Sequence, residues 1–267
     1  MYQRTLAAPI EFGGIGLHTG EYATVRILPA PAGKGIIFRR TDLDNFELLA
    51  DVASVARVAY ATTLMNRGVW ISTVEHLLSA LYGMGIDNAF VELDNFEVPI
   101  LDGSAGPYTE AIARVGVVRQ RTLRRYIRIT KPFVLREDEK TLGIYPSDSF
   151  TIKYDIDFPH PLIGKQSIEV QLTGTNYADK IAAARTFGFY DEVEKLQAGG
   201  LIRGGSLQNA IVLTETGMLN DTSLRFRDEF VRHKTLDLLG DFALIGQPVL
   251  GSLIANRAGH ALHTRFV

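Results

Sequence analysis

Three side chains suited to metal chemistry recur at four-residue intervals in the stretch Phe230–Asp241. They are His233, Asp237 and Asp241. The apolar pattern of this stretch predicts a helix, in which residues i and i+4 share a face with their side chains about 5–6 Å apart. His233 and Asp237 could then bind one ion together and would need a third ligand. Alternatively, these polar residues are only the solvated face of an amphipathic helix.

The polar positions on this predicted helix form a narrow stripe. Leucines at positions 236, 238 and 239 alternate with them, so the stripe is expected to border a cleft rather than open water. The segment Val74–Leu81 supports this interpretation, because it repeats the Val, His and Leu spacing of Val231–Leu238. His76 in the repeat supplies a candidate third ligand.

Glu75 directly precedes His76, and two interpretations of it are open. A Ser/Thr start and a glycine stop predict a helix over Ser72–Gly83, in which Glu75 could complete a capping box with Ser72. Alternatively, because Glu75 and His76 both fall in the first turn, the carboxylate could serve a site that opens at the end of the helix.

The composition restricts what such a site could hold. The 267-residue chain has no cysteine, so disulfides, thiolate catalysis and zinc ribbons are excluded, and His and carboxylate groups must hold any metal. A net charge of −2 gives no electrostatic case for binding nucleic acid. No run approaches the ~18 apolar residues of a membrane helix, and the N-terminus lacks the apolar core of a signal peptide. We expect a cytoplasmic monomer without stable membrane insertion.

The strand and helix patterns predict an α+β fold made of two duplicated α/β domains. Strands such as Tyr22–Leu28 alternate apolar and polar residues, and each half begins with strands and later places a Val-x-His helix. We expect a first domain at residues 1–120 and a second at 126–267. Each would have a sheet layer and a helix layer, with the helix layers facing each other across the active site. The basic stretch Arg119–Arg125 is predicted to be a solvated linker.

Three local expectations concern the second half. A hairpin turned at Pro146–Ser149 is expected to join the strands Leu142–Pro146 and Phe150–Phe158. A helix is expected over Tyr177–Thr186. The glycine-hinged segment near 187–213 then predicts a β-α-β insertion that shapes a pocket.

His76, His233 and Asp237, with one open position, form the ligand pattern of a catalytic zinc site. Bound Zn²⁺ would lower the pKa of water to ~7 and polarise a carbonyl, and Glu75 is placed to take the proton from that water. His260 is the best candidate for a second proton carrier that helps an amine to leave. An isolated His near the chain end is, however, often incidental.

Further polar residues could assist this chemistry. Asp241 could orient His260 and favour its charged form, and Lys234 and Thr186 could stabilise an oxyanion. Together these residues predict metal-assisted hydrolysis without identifying the substrate. Phe158, stiffened by prolines at a strand end, is a candidate stacking platform, the alternative being a plain exposed strand end.

Six motifs distributed over nearly the whole chain resemble the UDP-3-O-acyl-N-acetylglucosamine deacetylase family. They are Gly-Ile-Gly-Leu-His-Thr-Gly at 14–20, Ser-Thr-Val-Glu-His-Leu-Leu-Ser-Ala-Leu at 72–81, Pro-Ile-Leu-Asp-Gly-Ser-Ala at 99–105, Ala-Arg-Thr-Phe-Gly-Phe at 184–189, His-Lys-Thr-Leu-Asp-Leu-Leu-Gly-Asp at 233–241 and Gly-His at 259–260. The resemblance implies a zinc amidase that deacetylates a UDP-sugar glycolipid in the committed step of lipid A synthesis in Gram-negative bacteria.

The resemblance also implies a role for individual residues. It assigns His76, His233 and Asp237 as zinc ligands, Glu75 as general base, His260 as general acid or oxyanion partner, and Lys234, Asp241 and Thr186 as supporting residues. It implies that the insertion, here Phe187–Leu213, forms the passage for the fatty acyl chain. The expected substrate contacts are Phe158 on uracil, Lys140 on the diphosphate, Phe187 and His18.

Two other functions are compatible with part of this pattern. One is a zinc deacetylase of another acetamido sugar, and the other is a non-catalytic protein that binds a sugar nucleotide or a lipid. A base and an acid flanking a metal argue against a pure binding protein, which would gain nothing from either group.

Overall fold

The computed structural model describes residues 1–58 and 60–267. Two large sheets with equivalent topology dominate it. The first half of the chain forms β1 (Tyr2–Leu6), β2 (Ile10–Ile15), β3 (Tyr22–Pro29), β4 (Ile36–Arg40), β5 (Phe46–Leu49), β6 (Val55–Arg57), β7 (Thr63–Asn66), β8 (Val69–Ile71), α1 (Glu75–Gly83), β9 (Ala89–Leu93) and α2 (Gly106–Val115). The second half forms β10 (Val117–Leu123), β11 (Ile127–Arg128), β12 (Phe133–Glu137), β13 (Lys140–Tyr145), β14 (Phe150–Phe158), β15 (Gly164–Gln171), α3 (Gly174–Lys180), β16 (Phe187–Phe189), α4 (Tyr190–Ala198), β17 (Ile211–Leu213), α5 (Glu229–Phe242), β18 (Val249–Asn256) and α6 (His260–Phe266).

The two large sheets repeat one topology. The first has the order β2-β3-β9-β4-β5 and the second the order β12-β13-β18-β14-β15, with β11 also paired to β18. Across either sheet the successive pairings are antiparallel, antiparallel, parallel and antiparallel. The predicted α+β class is therefore confirmed, and the repeated topology matches the duplication expected from the sequence. The division into domains at residues 120 and 126 stays a prediction.

The strands form because their apolar residues recur with the period of two that places alternate side chains on one face of a sheet. In β3, for example, Ala23, Val25 and Ile27 are buried, while the residues between them are more exposed. The buried faces of both sheets contribute to one continuous apolar core, which also contains the apolar residues of α1 and α5.

The helices α1 and α5 pack closely against each other. At the contact, a Cβ added to Gly240 of α5 would lie 2.1 Å from the carbonyl oxygen of Glu75 in α1, so only glycine permits this approach. Nearly every residue of both helices is buried, which explains why α1 is apolar on most of its surface. This packing sets the first turn of α1 beside the middle of α5.

The insertion between α3 and α5 has the predicted β-α-β form. β16 pairs parallel with β17, and α4 connects them. Within the described ranges, none of the helices has the length and apolarity needed to cross a membrane.

Three sequence predictions about the second half were wrong. β13 and β14 do not form a hairpin at Pro146–Ser149, because β18 lies between them and pairs with both. The stretch Arg119–Arg125 is not a solvated linker, because most of it belongs to β10, which pairs with β1. The helix expected over Tyr177–Thr186 begins earlier and ends at Lys180, so the following residues are free to lead into β16.

Candidate active site

A buried carboxylate fixes the start of α1. Thr73, two residues before the helix, has φ of 58°, a left-handed conformation that non-glycine residues rarely adopt. Its hydroxyl donates to Glu97 at 2.8 Å, and the same carboxylate accepts hydrogen bonds from the backbone N–H groups of His18 and Thr19 at 2.9 and 2.8 Å. Glu97 therefore stabilises the strained approach to α1 and ties it to the glycine-rich loop between β2 and β3, residues 16–21.

His76, His233 and Asp237 converge at the contact between α1 and α5. Their candidate ligand atoms all lie within 4.8 Å of one another, and all three side chains are buried. Oδ1 of Asp237 is 3.3 Å from Nε2 of His233 and 3.7 Å from Nε2 of His76. The two imidazole rings are perpendicular, with 5.0 Å between their centroids. We call these three residues the triad.

The protonation states of the triad suit metal binding. Burial lowers the pKa of His233 to about 4, so its imidazole is neutral at physiological pH. Its Nδ1 lies 3.0 Å from the carbonyl oxygen of Ala184, which can only accept, so Nδ1 carries the proton and Nε2 keeps a lone pair. Burial raises the pKa of Asp237, but His233 and Lys234 outweigh this effect and hold it well below its usual range. Neutral imidazole and ionised carboxylate are the forms that coordinate a metal.

Asp241, one turn after Asp237, joins the triad to α6. Its Oδ2 accepts from Nδ1 of His260 at 2.7 Å and from Nδ1 of His263 at 2.9 Å, and its Oδ1 accepts from the Thr62 hydroxyl at 2.6 Å. Nε2 of His260 lies 3.7 Å from Oδ2 of Asp237, so this nitrogen faces the triad. Burial lowers the pKa of His260, but Asp241 and then Asp237 outweigh it and raise the pKa to about 9. Burial likewise raises the pKa of Asp241, and His260 outweighs it and lowers the pKa to about 2.

Glu75 is buried next to these groups and does not form the capping box that was one of its two interpretations. Its Oε2 accepts from the backbone N–H of Thr62 at 3.0 Å. The helix begins at Glu75 with Val74 as its N-cap, so Ser72 cannot take the capping position. Burial raises the pKa of Glu75, although the charge of His260 opposes that rise. A carboxyl with a raised pKa is better matched to proton transfer near neutral pH.

The two residues predicted to stabilise an oxyanion lie in different places. Nζ of Lys234 is 2.8 Å from Oδ2 of Asp237, so this ammonium group belongs to the cluster around the triad. Thr186 is held through its backbone, since its N–H donates to Gly103 and its carbonyl accepts from Ile211, both at 2.8 Å. It therefore lies at the start of the insertion. The roles of both residues stay predictions.

Of three predicted substrate contacts, Phe187 lies beside a triad residue, Phe158 packs against Phe187, and Lys140 lies elsewhere. Phe187 packs edge-on against His233 and against Phe158, with centroid distances of 6.2 and 5.9 Å. Phe158 is half-buried at the end of β14. Lys140 is exposed at the start of β13, where it pairs with Glu137 across the β12–β13 turn.

His18 lines a cavity of about 680 Å³ between the glycine-rich loop, the β6–β8 strands and the insertion. Trp70 and Leu201 contribute apolar walls. The carbonyl of His18 accepts from the backbone N–H of Arg203 at 3.2 Å, so the loop and the insertion touch at this point. Burial lowers the pKa of His18, which favours the neutral imidazole.

Sequence reasoning missed several residues that complete the site. His263 could have been found, because it lies three residues after His260, a spacing that places both on one face of a helix. Thr62 and the carbonyl of Ala184 carry no local signal, since only the tertiary fold brings them to Asp241 and His233.

Comparison with known proteins agrees with this geometry. Residues 3–267 match the model of the UDP-3-O-acyl N-acetylglycosamine deacetylase family. The chain is 49% identical over 266 residues to the UDP-3-O-acyl-N-acetylglucosamine deacetylase of Solibacter usitatus, covering 100% of this chain and 90% of that protein. It is 46% identical over 265 residues to the deacetylase of the same name from Anaeromyxobacter sp., covering 99% and 87% of the two chains. For that of Saccharophagus degradans the identity is 43% over 266 residues, covering 98% and 88%. The chain thus belongs to the UDP-3-O-acyl N-acetylglycosamine deacetylase family.

Proposed function

We propose that this chain is a zinc-dependent amidase that removes the N-acetyl group from UDP-3-O-acyl-N-acetylglucosamine and releases acetate. The observation that carries the proposal is the convergence of the triad beside Glu75 and His260. The full-length family match and the names of the relatives support the choice of substrate. On this proposal the reaction is the committed step of lipid A synthesis, and it takes place in the cytoplasm of a Gram-negative bacterium.

The donor set of the triad supports zinc as the metal. Two imidazole nitrogens and one carboxylate, with one position left open, are typical of catalytic zinc sites. Zn²⁺ held there would supply a Lewis acid that lowers the pKa of water to ~7 and polarises the amide carbonyl.

Glu75 is proposed to act as the general base. The amide of Thr62 fixes its Oε2 at 3.0 Å, so the carboxylate cannot rotate freely. It would accept a proton from the water that attacks the acetyl carbon. The rise of its pKa on burial makes it a stronger base than an exposed glutamate.

His260 is proposed to act as the general acid. Asp241 accepts a hydrogen bond from Nδ1–H, so Nε2 is the nitrogen that faces the triad and can donate its proton to the leaving amine as the C–N bond breaks. The raised pKa of about 9 keeps the imidazole protonated at neutral pH. The same positive charge would stabilise an oxyanion, and Lys234 adds a second cation close by.

The substrate is proposed to extend from the triad in two directions. The insertion Phe187–Leu213, whose first residue packs against His233, would line the acyl chain. Phe158 would stack on uracil, Lys140 would meet the diphosphate and His18 would contact the bound substrate.

One assay tests the function directly. Purified protein should release acetate from UDP-3-O-acyl-N-acetylglucosamine, lose this activity to a strong chelator and regain it with added Zn²⁺. Glu75→Gln is the control, because it should bind zinc and substrate but turn over roughly 10²–10⁴-fold more slowly. Activity that survives complete metal removal would exclude the zinc mechanism. Binding without acetate release in the wild type would favour a sugar-nucleotide carrier, and equal turnover of simpler acetamido sugars would favour a deacetylase of another substrate. The proposed monomer can be checked on the same sample by light scattering.

A further inference from the structure

One peptide group connects two residues of α5 that lie one turn apart. The carbonyl of Ala184 accepts from Nδ1 of His233 at 3.0 Å. The N–H of Arg185, which belongs to the same peptide group, donates to Oε1 of Glu229 at 3.0 Å. The carbonyl and N–H of a trans peptide point in opposite directions, and Glu229 and His233 are four residues apart on one helix face. The peptide group therefore lies along α5 and bridges the two side chains.

Glu229 is itself held rigidly. Its carboxylate is fully buried and binds the Arg185 guanidinium through two bonds, Nε to Oε1 at 2.9 Å and Nη2 to Oε2 at 3.1 Å. The backbone N–H of Arg225 adds a bond to Oε2 at 2.7 Å. The guanidinium also donates to the Thr222 hydroxyl at 3.2 Å and to the Ser223 carbonyl at 3.0 Å. A buried ion pair is tolerated when its donors and acceptors are satisfied in this way.

This arrangement determines which nitrogen of His233 is available. The Ala184 carbonyl requires a proton on Nδ1, which leaves the lone pair on Nε2, 3.3 Å from Oδ1 of Asp237. The carboxylate at the other end of the peptide group polarises it and strengthens the carbonyl as an acceptor. Phe187, packed edge-on at 6.2 Å, limits rotation of the ring from the side.

We propose that Glu229 is a positioning residue for His233, acting through the Ala184–Arg185 peptide group to fix the tautomer and orientation of the imidazole. Arg185 is the counter-ion that allows a carboxylate to occupy this buried position. The expected effect of Glu229 on metal affinity rests on the zinc site proposed above. Residues that orient a metal ligand through its second nitrogen typically change metal affinity by about 10–100-fold when they are replaced.

Two double variants separate the acceptor from the ion pair. Arg185→Met with Glu229→Gln removes both charges but keeps a side-chain oxygen that can accept from the backbone N–H of residue 185. Arg185→Met with Glu229→Leu removes both charges and the acceptor. Neither leaves an unpaired buried charge, which would by itself be strongly destabilising.

The chain offers a matched control at the other end of α1. Asp87 accepts from Nε and Nη2 of Arg124 at 3.1 and 2.7 Å and from the backbone N–H of Arg4 at 2.7 Å. Like Glu229, it is a poorly exposed carboxylate bound to a guanidinium and to backbone N–H, although Asp87 has one such N–H and Glu229 has two. Arg124→Met with Asp87→Leu removes it without touching the peptide group that orients His233.

Two measurements test the role. Long-range ¹H–¹⁵N NMR of the metal-free protein reports the His233 tautomer, and competition with a chromophoric chelator reports the Kd for Zn²⁺. We expect three proteins to keep the proton on Nδ1 of His233 and to have Kd values for Zn²⁺ within about threefold of one another. They are the wild type, the control (Arg124→Met with Asp87→Leu) and the Gln double variant (Arg185→Met with Glu229→Gln). The Leu double variant should show a mixture of tautomers and bind Zn²⁺ about 10–100-fold more weakly.

Several results would overturn the role. A proton on Nε2 of His233 in the wild type would do so without any variant, even if the Leu double variant failed to fold. If the Leu double variant keeps the wild-type tautomer and Kd, Glu229 acts only on stability. The same conclusion follows if the control variant weakens Zn²⁺ binding as much as the Leu double variant does. Absence of Zn²⁺ binding by the wild type would reject the proposed function instead, while the tautomer comparison would still decide the positioning role.

Discussion

Replacing Asp241 by Asn should move the titration of His260 to lower pH. The pKa of His260 is about 9 against 6.5 for an ordinary histidine, and this difference corresponds to ~3 kcal/mol in favour of the imidazolium. Burial works against the charged form, and Asp241 is the largest influence that raises the pKa. Asn keeps the size of the side chain but not its charge, so we expect the pKa of His260 to fall by at least about one unit, or ~1.4 kcal/mol.

Histidine NMR on the metal-free protein measures this pKa directly. Asp228→Asn is a suitable control, because it removes a carboxylate near the start of α5 whose partner is Arg232. In the active enzyme the alkaline limb of the pH–rate profile should move in the same direction, since deprotonation of His260 removes the proposed acid.

The same shift predicts how stability depends on pH. The pKa of folded His260 lies above the unfolded value, so its contribution is fully present below about pH 6.5 and is lost as the pH rises through about 9. As the pH rises between these limits, the loss of this contribution should lower the wild-type free energy of unfolding by up to ~3 kcal/mol, and that of Asp241→Asn by less. If His260 keeps its pKa in Asp241→Asn, the charge of Asp241 is not what holds the proton, and the acid role derived from it is refuted.

Four further outcomes are expected. His233→Ala should lose most of its zinc, because three ligands leave no redundancy, and atomic absorption that finds stoichiometric zinc would contradict the ligand assignment. Glu75→Gln should keep zinc and lose roughly 10²–10⁴-fold in rate, whereas near-wild-type turnover would exclude it as the base. If the insertion lines the acyl chain, each buried methylene contributes up to ~0.8 kcal/mol, and equal kcat/KM on acylated and non-acylated substrates would argue against that passage. Gly240→Ala should cost about 1–3 kcal/mol in denaturant unfolding, because its Cβ would lie 2.1 Å from the Glu75 carbonyl oxygen, while Gly174→Ala, with open space around it, should cost less.

The sequence predicted those parts of the fold that depend on local periodicity. The alternation in β3, the helix that carries His233 and Asp237, and the β-α-β form of the insertion were all visible in the chain, because each pattern reports which face of one element is buried. The convergence of His76 on that helix was also foreseeable, since two similar helices in duplicated halves are expected to face each other.

Features that depend on contacts between distant segments were not predictable. Nothing near Pro146–Ser149 shows that β18 will separate β13 from β14. The charges of Arg119–Arg125 concealed a strand, because β10 has exposed residues on both faces. The capping-box interpretation of Glu75 was wrong for a similar reason. Its carboxylate accepts from the Thr62 amide, which only the tertiary fold brings near the helix.

The position of β18 also affects the order in which the protein can fold. β18 fills the centre of the second sheet and pairs, for example, Asn256 with Thr141, although α3, α4 and α5 all come between them in the chain. A growing chain that has not reached β18 leaves the facing edges of β13 and β14 without their native partner, and such edges are prone to pair wrongly. The long loop must close before these contacts form, which makes this step slow compared with the folding of the helices. His260 follows β18 closely in the chain, so the segment that completes the second sheet also brings the proposed acid to the triad.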